Sequence, residues 1–253
     1  MTVTRINWAR AAAELVIIVA GVMLALAADR WRETERENDL ALSYIARLQS
    51  DVETDLQAFG QTVEWAKAID DSSLYVLNIY RGADPSSDSY DLFVYHIFRA
   101  SWNMQGRTTS ATYQDLIGTG NLGLLPVRIR NEVTDYYTLK GNYIQGRVKN
   151  FEEVARPGYW RVPDIVLGPI LGPRVWEAIQ GTSVDFAPEA GRLKLSDAGV
   201  AQIVQSLRRI EDLEIQISEV RHQMTQRKIL FGERLPNAAR NFIESLAAEG
   251  KSG

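Results

Sequence analysis

The chain contains no cysteine. Disulfides, thiolate metal sites and cysteine nucleophiles are excluded together, and the absence is compatible with either side of a bacterial membrane. Histidine is nearly missing too. His96 and His222 stand far apart, with neither HExxH nor HxxxH spacing, which removes the usual zinc patterns. No GxSxG, Walker A or EF-hand pattern occurs. There is no excess of positive charge: 28 Lys and Arg face 32 Asp and Glu, for a net charge of −4, which gives no support for binding nucleic acid. Strand-like alternation is absent throughout, and I–V–L positions recur instead at threes and fours.

Two patterns resemble chemistry without supporting it. Gly118-Thr119-Gly120-Asn121-Leu122-Gly123 matches the GxGxxG dinucleotide fingerprint letter for letter. That motif needs a strand before it and a helix immediately after it. Here an amphipathic helical stretch precedes it and Pro126 follows, so a glycine-rich helix stop is expected. Asp70-Asp71 and Glu152-Glu153 are adjacent carboxylates on helical patterns. Neighbours on a helix diverge by about 100°, so neither pair is set up for acid–base work, and solvated faces are expected. No catalytic residue, metal ligand or cofactor is implied.

One long hydrophobic run is present. From residue 15 to residue 28 there is no charged or strongly polar side chain, and Ala11, Ala12 and Ala13 extend the run beyond Glu14. Trp8 and Trp31 bracket it. They lie about 34 Å apart along a helix, near the thickness of a hydrocarbon core with its edges, and tryptophan prefers those two interfaces. A single transmembrane helix over residues 11–28 is the first expectation. A cleaved signal peptide, with its site at Ala25-Leu26-Ala27, and a buried helix of a globular domain are the alternatives. Glu14 inside the run is costly; it either contacts a partner helix or snorkels beside Arg10. Gly21, Ala25 and Ala28 form a small-residue stripe of the kind that lets membrane helices approach closely. Arg5 and Arg10 precede the run while Arg30, Arg32 and Arg36 follow it, so charge does not decide orientation. The expected arrangement is a short cytoplasmic tail at 1–10, too short for an output domain, and an exported remainder.

After the run, Ile45, Leu48, Val52, Leu56, Phe59, Val63, Ala66, Ile69 and Leu77 keep a helical period, and no proline interrupts residues 8–82. One helix is expected from the membrane to about Arg81, weakest at Asp70-Asp71-Ser72-Ser73, with a turn at 82–87. Helical segments follow at 89–102 and 110–118, and a third long helix from Pro126 to about Val154. Residues 157–195 hold five of the eight prolines and read as an irregular excursion with a short helix near 175–179. Ser196 and Asp197 open the last long helix, whose seam is Ile203, Leu207, Ile210, Leu213, Ile217, Val220 and Met224, ended or kinked by Gly232 and Pro236. The fold expected is all-α: an N-terminal transmembrane helix continuing into an antiparallel bundle of about four long helices over 29–231, then a polar tail at 232–253.

Twelve of the 23 aromatic residues lie between Tyr90 and Trp160, which suits either an aromatic bundle core or a pocket. Two blocks also resemble a bacterial family of single-span membrane proteins, the domain-of-unknown-function family numbered 6090. The first runs from Glu14 through Gly21, Ala25 and Leu26 to Asp29-Arg30-Trp31-Arg32-Glu33. The second is Ala111-Thr112-Tyr113-Gln114-Asp115 with Gly120-Asn121-Leu122, followed by Arg130 to Tyr136-Tyr137. The excursion at 157–195 and the end after Gly232 depart from that pattern. The resemblance implies a topology and no activity. It makes Tyr113, Gln114, Asn121, Tyr136 and Tyr137 candidate interaction residues beside the membrane set Trp8, Glu14, Gly21, Ala25 and Trp31. The function expected is a non-enzymatic periplasmic module for protein–protein interaction, its partners being the bilayer and another membrane or periplasmic protein or itself. The alternative is a ligand-sensing bundle that signals through a partner membrane protein.

Overall fold

The structure, a computed structural model, describes residues 8–85, 90–103, 106–150, 156–172 and 193–249, with the side chains of 8–13, 147–150, 156 and 157 left aside. All regular elements among these residues are helical. Helix α1, Trp8–Tyr80, runs for 73 residues without a break, about 110 Å at the usual helical rise. The absence of proline and the unbroken apolar period explain its length. Gly82 ends it with φ +121, a backbone conformation that side chains disfavour, while Ala83 N–H returns to the Asn78 carbonyl.

The chain then passes three more times along α1. Helix α2 (Tyr90–Arg99), an extended stretch and α3 (Ala111–Thr119) run antiparallel to it: Phe93 lies by Tyr75, Arg99 reaches Ser72, and Asn121 reaches Tyr44. Gly120 closes α3 in the left-handed conformation and a 3-10 turn, Asn121–Leu124, follows. The GxGxxG letters are therefore a helix stop. Helix α4 (Val127–Asn150) returns parallel to α1. Helices α5 (Arg156–Tyr159), α6 (Val162–Leu171) and α7 (Asp197–Arg208) cover the far end. Helix α8 (Leu213–Ile229), a π turn at Leu230–Arg234 and α9 (Leu235–Glu249) descend antiparallel to α1. Along this pass Arg221 and Lys228 meet Asp70, and Gly232 lies against Val63.

Two apolar clusters stack along α1. The upper one joins Ile69, Val76 and Ile79 to Phe93, Ile97, Val166, Leu167, Ile203, Leu207, Ile217 and Met224. The lower one joins Leu48, Val52 and Phe59 to Leu116, Ile129, Val133, Leu235, Phe242 and Leu246. Burial of such side chains stabilises by roughly 1.5–3 kcal/mol each, against the conformational entropy lost on folding.

The all-helical class agrees with expectation, and the chain makes four passes along one another, but the elements are more numerous than the four long helices expected and differ in four respects. The expected single last helix is two: after α7 the chain turns through Arg209–Asp212, where Asp212 has φ +61 and precedes α8. The seam Ile203, Leu207, Leu213, Ile217, Val220 and Met224 nevertheless stays fully or almost fully buried across that break, and Ile210, within it, is half-buried against the upper cluster. Residues 232–249 are no polar tail. They continue through the π turn into α9, whose Leu235, Ala239, Phe242 and Leu246 fall on one face and enter the lower cluster. The excursion contains a regular helix, Val162–Leu171, with Pro163 in its first turn, where a missing N–H costs little. The short helix expected near 175–179 and the end of the third helix near Val154 lie outside the described residues. Finally, Asp70-Asp71-Ser72-Ser73 is not a weak point, because Ser72 and Ser73 are buried and Ser73 donates to the Ile69 carbonyl.

Among the described residues no helix is long and apolar enough to cross a membrane. Glu14 on one side and Asp29 and Arg30 on the other bound an uncharged run, 15–28, that is shorter than the ~20 residues a span requires. The span expected at 11–28 therefore finds no support in the described set, and the side chains of Ala11, Ala12 and Ala13 that would lengthen it lie outside that set. The helix itself continues unbroken through this region into the bundle.

Candidate functional site

The lower half of the bundle is organised by a polar strip on α1. Tyr44, Arg47, Asp51, Asp55, Ala58 and Thr62 recur at helical spacing and face α3, the turn after it and the extended segment that leads into it. Gly106 N–H donates to Thr62 Oγ1 at 2.9 Å, Thr109 N–H to Asp55 Oδ1 at 2.8 Å, and Thr112 N–H to Asp51 Oδ2 at 3.1 Å. Arg47 pairs with Asp115, and Asn121 Nδ2 donates to Tyr44 Oη at 3.0 Å. A segment without its own ladder thus has its backbone groups satisfied by side chains of one helix. Gly106 lies directly on that helix, so that a Cβ there would fall on the Ala58 carbonyl oxygen.

Asp55 is the centre of this strip. It is fully buried and its Oδ2 accepts from Tyr136 Oη at 2.8 Å and from Lys140 Nζ at 2.6 Å. Lys140 also donates to the Thr109 carbonyl, and its ammonium lies 4.3 Å from the centre of the Tyr137 ring. Tyr137 stacks on Tyr113 with ring centres 4.6 Å apart, and Tyr136 stacks on Phe242 at 5.3 Å. Burial pushes the Lys140 ammonium below its ordinary range, against the hydrogen bond and charge of Asp55 that favour it. Burial, with the nearby Asp55 and Asp51 charges, raises Tyr136 and Tyr137 far above the usual phenol range. Both phenols are therefore neutral, and the centre is an ion pair clasped by aromatic rings.

The five candidate interaction residues separate here. Tyr113, Tyr136 and Tyr137 meet in this cluster. Asn121 lies apart, on Tyr44, and the Gln114 side chain faces solvent. In the membrane set, Glu14, Gly21, Ala25 and Trp31 are all exposed, and no atom comes within 4 Å of a Cβ built on Gly21; Trp8 opens α1, its side chain outside the described residues. The reading from sequence missed Asp55 and Lys140. A signal was present: Asp55 falls between Val52 and Phe59, and Lys140 follows Val133, Tyr136 and Tyr137, so both charges occupy core positions of their helices.

A second polar group joins α1 to α2. Ser72 Oγ accepts from Arg99 Nε at 2.6 Å and lies within hydrogen-bond distance, 2.9 Å, of His96 Nδ1. Tyr75 stacks on the imidazole at 4.4 Å. Burial and then the Arg99 charge push His96 down to about 4, so it is neutral near pH 7. The serine is fully buried, and the neighbouring cation opposes the imidazolium that a serine nucleophile would generate; the pair fixes α2 on α1. Asp70 is not on a solvated face as expected. Burial alone would raise its carboxyl, but hydrogen bonds and charges from Lys228 and Arg221 hold it below the usual range. Asp71 is exposed. Among the described residues no three His, Asp or Glu side chains gather as a metal site.

Beside Tyr136, on the outer side of the bundle, α4 and α9 leave an open groove of about 550 Å³. Leu139, Ala238 and Phe242 supply its apolar lining, and Glu132 and Asp135 stand along it. No family model, curated protein or solved structure matches the chain. The resemblance to the family numbered 6090 rests on its two blocks of residues alone.

Proposed function

We propose that this chain is a membrane-anchored, non-enzymatic helical module of the bacterial inner membrane, with its bundle in the periplasm, that binds or assembles with another protein. One observation carries the reading. Along α1 the residues from 14 to 40 are all exposed, among them Ile17, Ile18, Met23, Leu24 at 71 % and Trp31 at 71 %. A helix that is apolar on every side needs an apolar surrounding, and an exposed apolar surface of this extent marks a membrane or protein contact. By sequence, residues 11–28 contain Glu14 as their one charge. A bilayer is the surrounding that suits them, with Trp8 and Trp31 at its two faces. The charged residues 29–40 then form a stalk of about 18 Å between bilayer and bundle.

Interaction is favoured over ligand sensing by the state of the aromatic residues. Tyr95 and Trp102 pack edge to face at 5.6 Å, and the Tyr136 hydroxyl is committed to Asp55. A topology of anchor followed by helical region is also what the family resemblance implies. The test is crosslinking of the full chain in native membranes, followed by purification and mass spectrometry. A reproducible heterologous partner is expected. Recovery of the uncrosslinked chain alone, across reagents of different length, contradicts the reading.

A further inference from the structure

We propose that the groove between α4 and α9 is the docking site for a basic amphipathic helix of a partner protein. This deepens the proposed function and rests on it. Glu132, Asp135, Leu139 and Asn142 recur at three- and four-residue spacing, so one face of α4 forms one wall. From 132 to 142 that wall is about 15 Å long, nearly three turns of a docked helix. Ala238 and Asn241 of antiparallel α9 form the other wall, and the small Ala238 side chain opens the space.

The charge distribution selects the occupant. Among the described residues no lysine or arginine lines the groove. Asp135 is exposed, and Glu132 is held by a single long ion pair, 3.4 Å from Arg128, among the described residues. The side chains of Asp135, Asn142 and Asn241 make no hydrogen bond or ion pair among the described residues. A groove with an apolar lining and two carboxylates along it, one of them, Asp135, without an ion pair among the described residues, fits a helix that presents leucine-like anchors inward and lysine or arginine at its flanks. An acidic helix is repelled by the same carboxylates.

The experiment uses the full chain in zwitterionic detergent micelles and two labelled synthetic helices. They share one leucine stripe, and their polar faces carry lysines or glutamates respectively. Fluorescence anisotropy is expected to show binding of the lysine helix and none of the glutamate helix. Glu132→Gln with Asp135→Asn is expected to weaken binding at least ~10-fold, the scale of losing close charge pairs, and Ala238→Trp to abolish it. The urea midpoint of the carboxylate double variant reports that it folds. Equal binding of both helices, no binding of the lysine helix, or binding unchanged in the double variant overturns the proposal. So does concentration-dependent self-association that the double variant loses, since the occupant is then a second copy. Membrane crosslinking of the double variant separates the two readings. A partner retained by both proteins overturns the groove and leaves the module standing. A wild-type chain that captures no partner overturns the module itself.

Discussion

Lys140→Met removes one half of the buried ion pair and keeps most of the stem's volume. Asp55 has no solvent exposure, so its charge is left without a counter-ion in the interior, a change that typically costs 3–5 kcal/mol. Two donors to Asp55 remain, Thr109 N–H and Tyr136 Oη, while the Thr109 carbonyl loses the lysine. The lower end applies, about 3 kcal/mol. With a urea m-value near ~3 kcal/mol/M for a domain of this size, the midpoint falls by about 1 M. The loss has a pH signature. An unpaired carboxylate in the interior disfavours its own charged form, so protonation relieves the deficit and it narrows as pH falls. The assay is urea unfolding of the full chain in detergent at pH 7.5 and pH 5, followed by circular dichroism. Asp55→Asn/Lys140→Met should be less destabilised than the sum of its single variants, because neither charge is then orphaned. A loss under about 1 kcal/mol for Lys140→Met, or a deficit that does not narrow in acid, refutes the assigned role of the pair.

The His96 site gives a second pH effect. The folded-state value, about 4, lies below the ordinary 6.5, so the stability it contributes is complete above 6.5 and is lost as pH falls towards 4. Wild type should lose about 3 kcal/mol more than His96→Asn over that window, and parallel curves from urea titrations would contradict this. Asp70, held below the ordinary carboxylate range, loses its contribution only at more acidic pH, through and below that range, which keeps the two effects apart. Two glycines on opposite sides of one helix contact should respond with opposite signs. Gly106→Ala places a methyl on the α1 backbone and should cost about 2–3 kcal/mol. Gly60→Ala, mid-helix with nothing within 4 Å, should gain about 0.5–1 kcal/mol. Thermal melts read both, and a stable Gly106→Ala would mean that the segment does not lie on α1.

Much of the architecture was legible because it depends on local signals. The proline-free period from Trp8 to Gly82 gives one helix, and Gly120 stops α3. Ser196 caps α7 by accepting from Gly199 N–H at 3.2 Å. The misread parts depend on what the rest of the chain supplies. Gly232 and Pro236 look like an end, but a π turn carries the backbone past Gly232, and Pro236 falls in the first turn of α9. The apolar spacing of Leu235, Ala239, Phe242 and Leu246 carried the correct message. The break at Asp212 has no glycine or proline to announce it. Within the site, Tyr136 and Tyr137 were visible as aromatics, whereas their purpose was not. Asp55 and Lys140 are 85 residues apart, and only the packing of α4 along α1 shows that they neutralise each other.

Alkaline extraction of membranes from cells producing the full chain reads whether residues 11–28 anchor the bundle in a bilayer. The mature N-terminus is read by mass spectrometry in the same sample. An uncleaved chain that stays in the membrane pellet is expected, with release into the supernatant when Ile18 and Val22 are both changed to arginine, since a charge at the middle of a span costs roughly 2.5–3.5 kcal/mol or more. A wild-type chain released by alkali, or one beginning at Ala28, would contradict the anchoring.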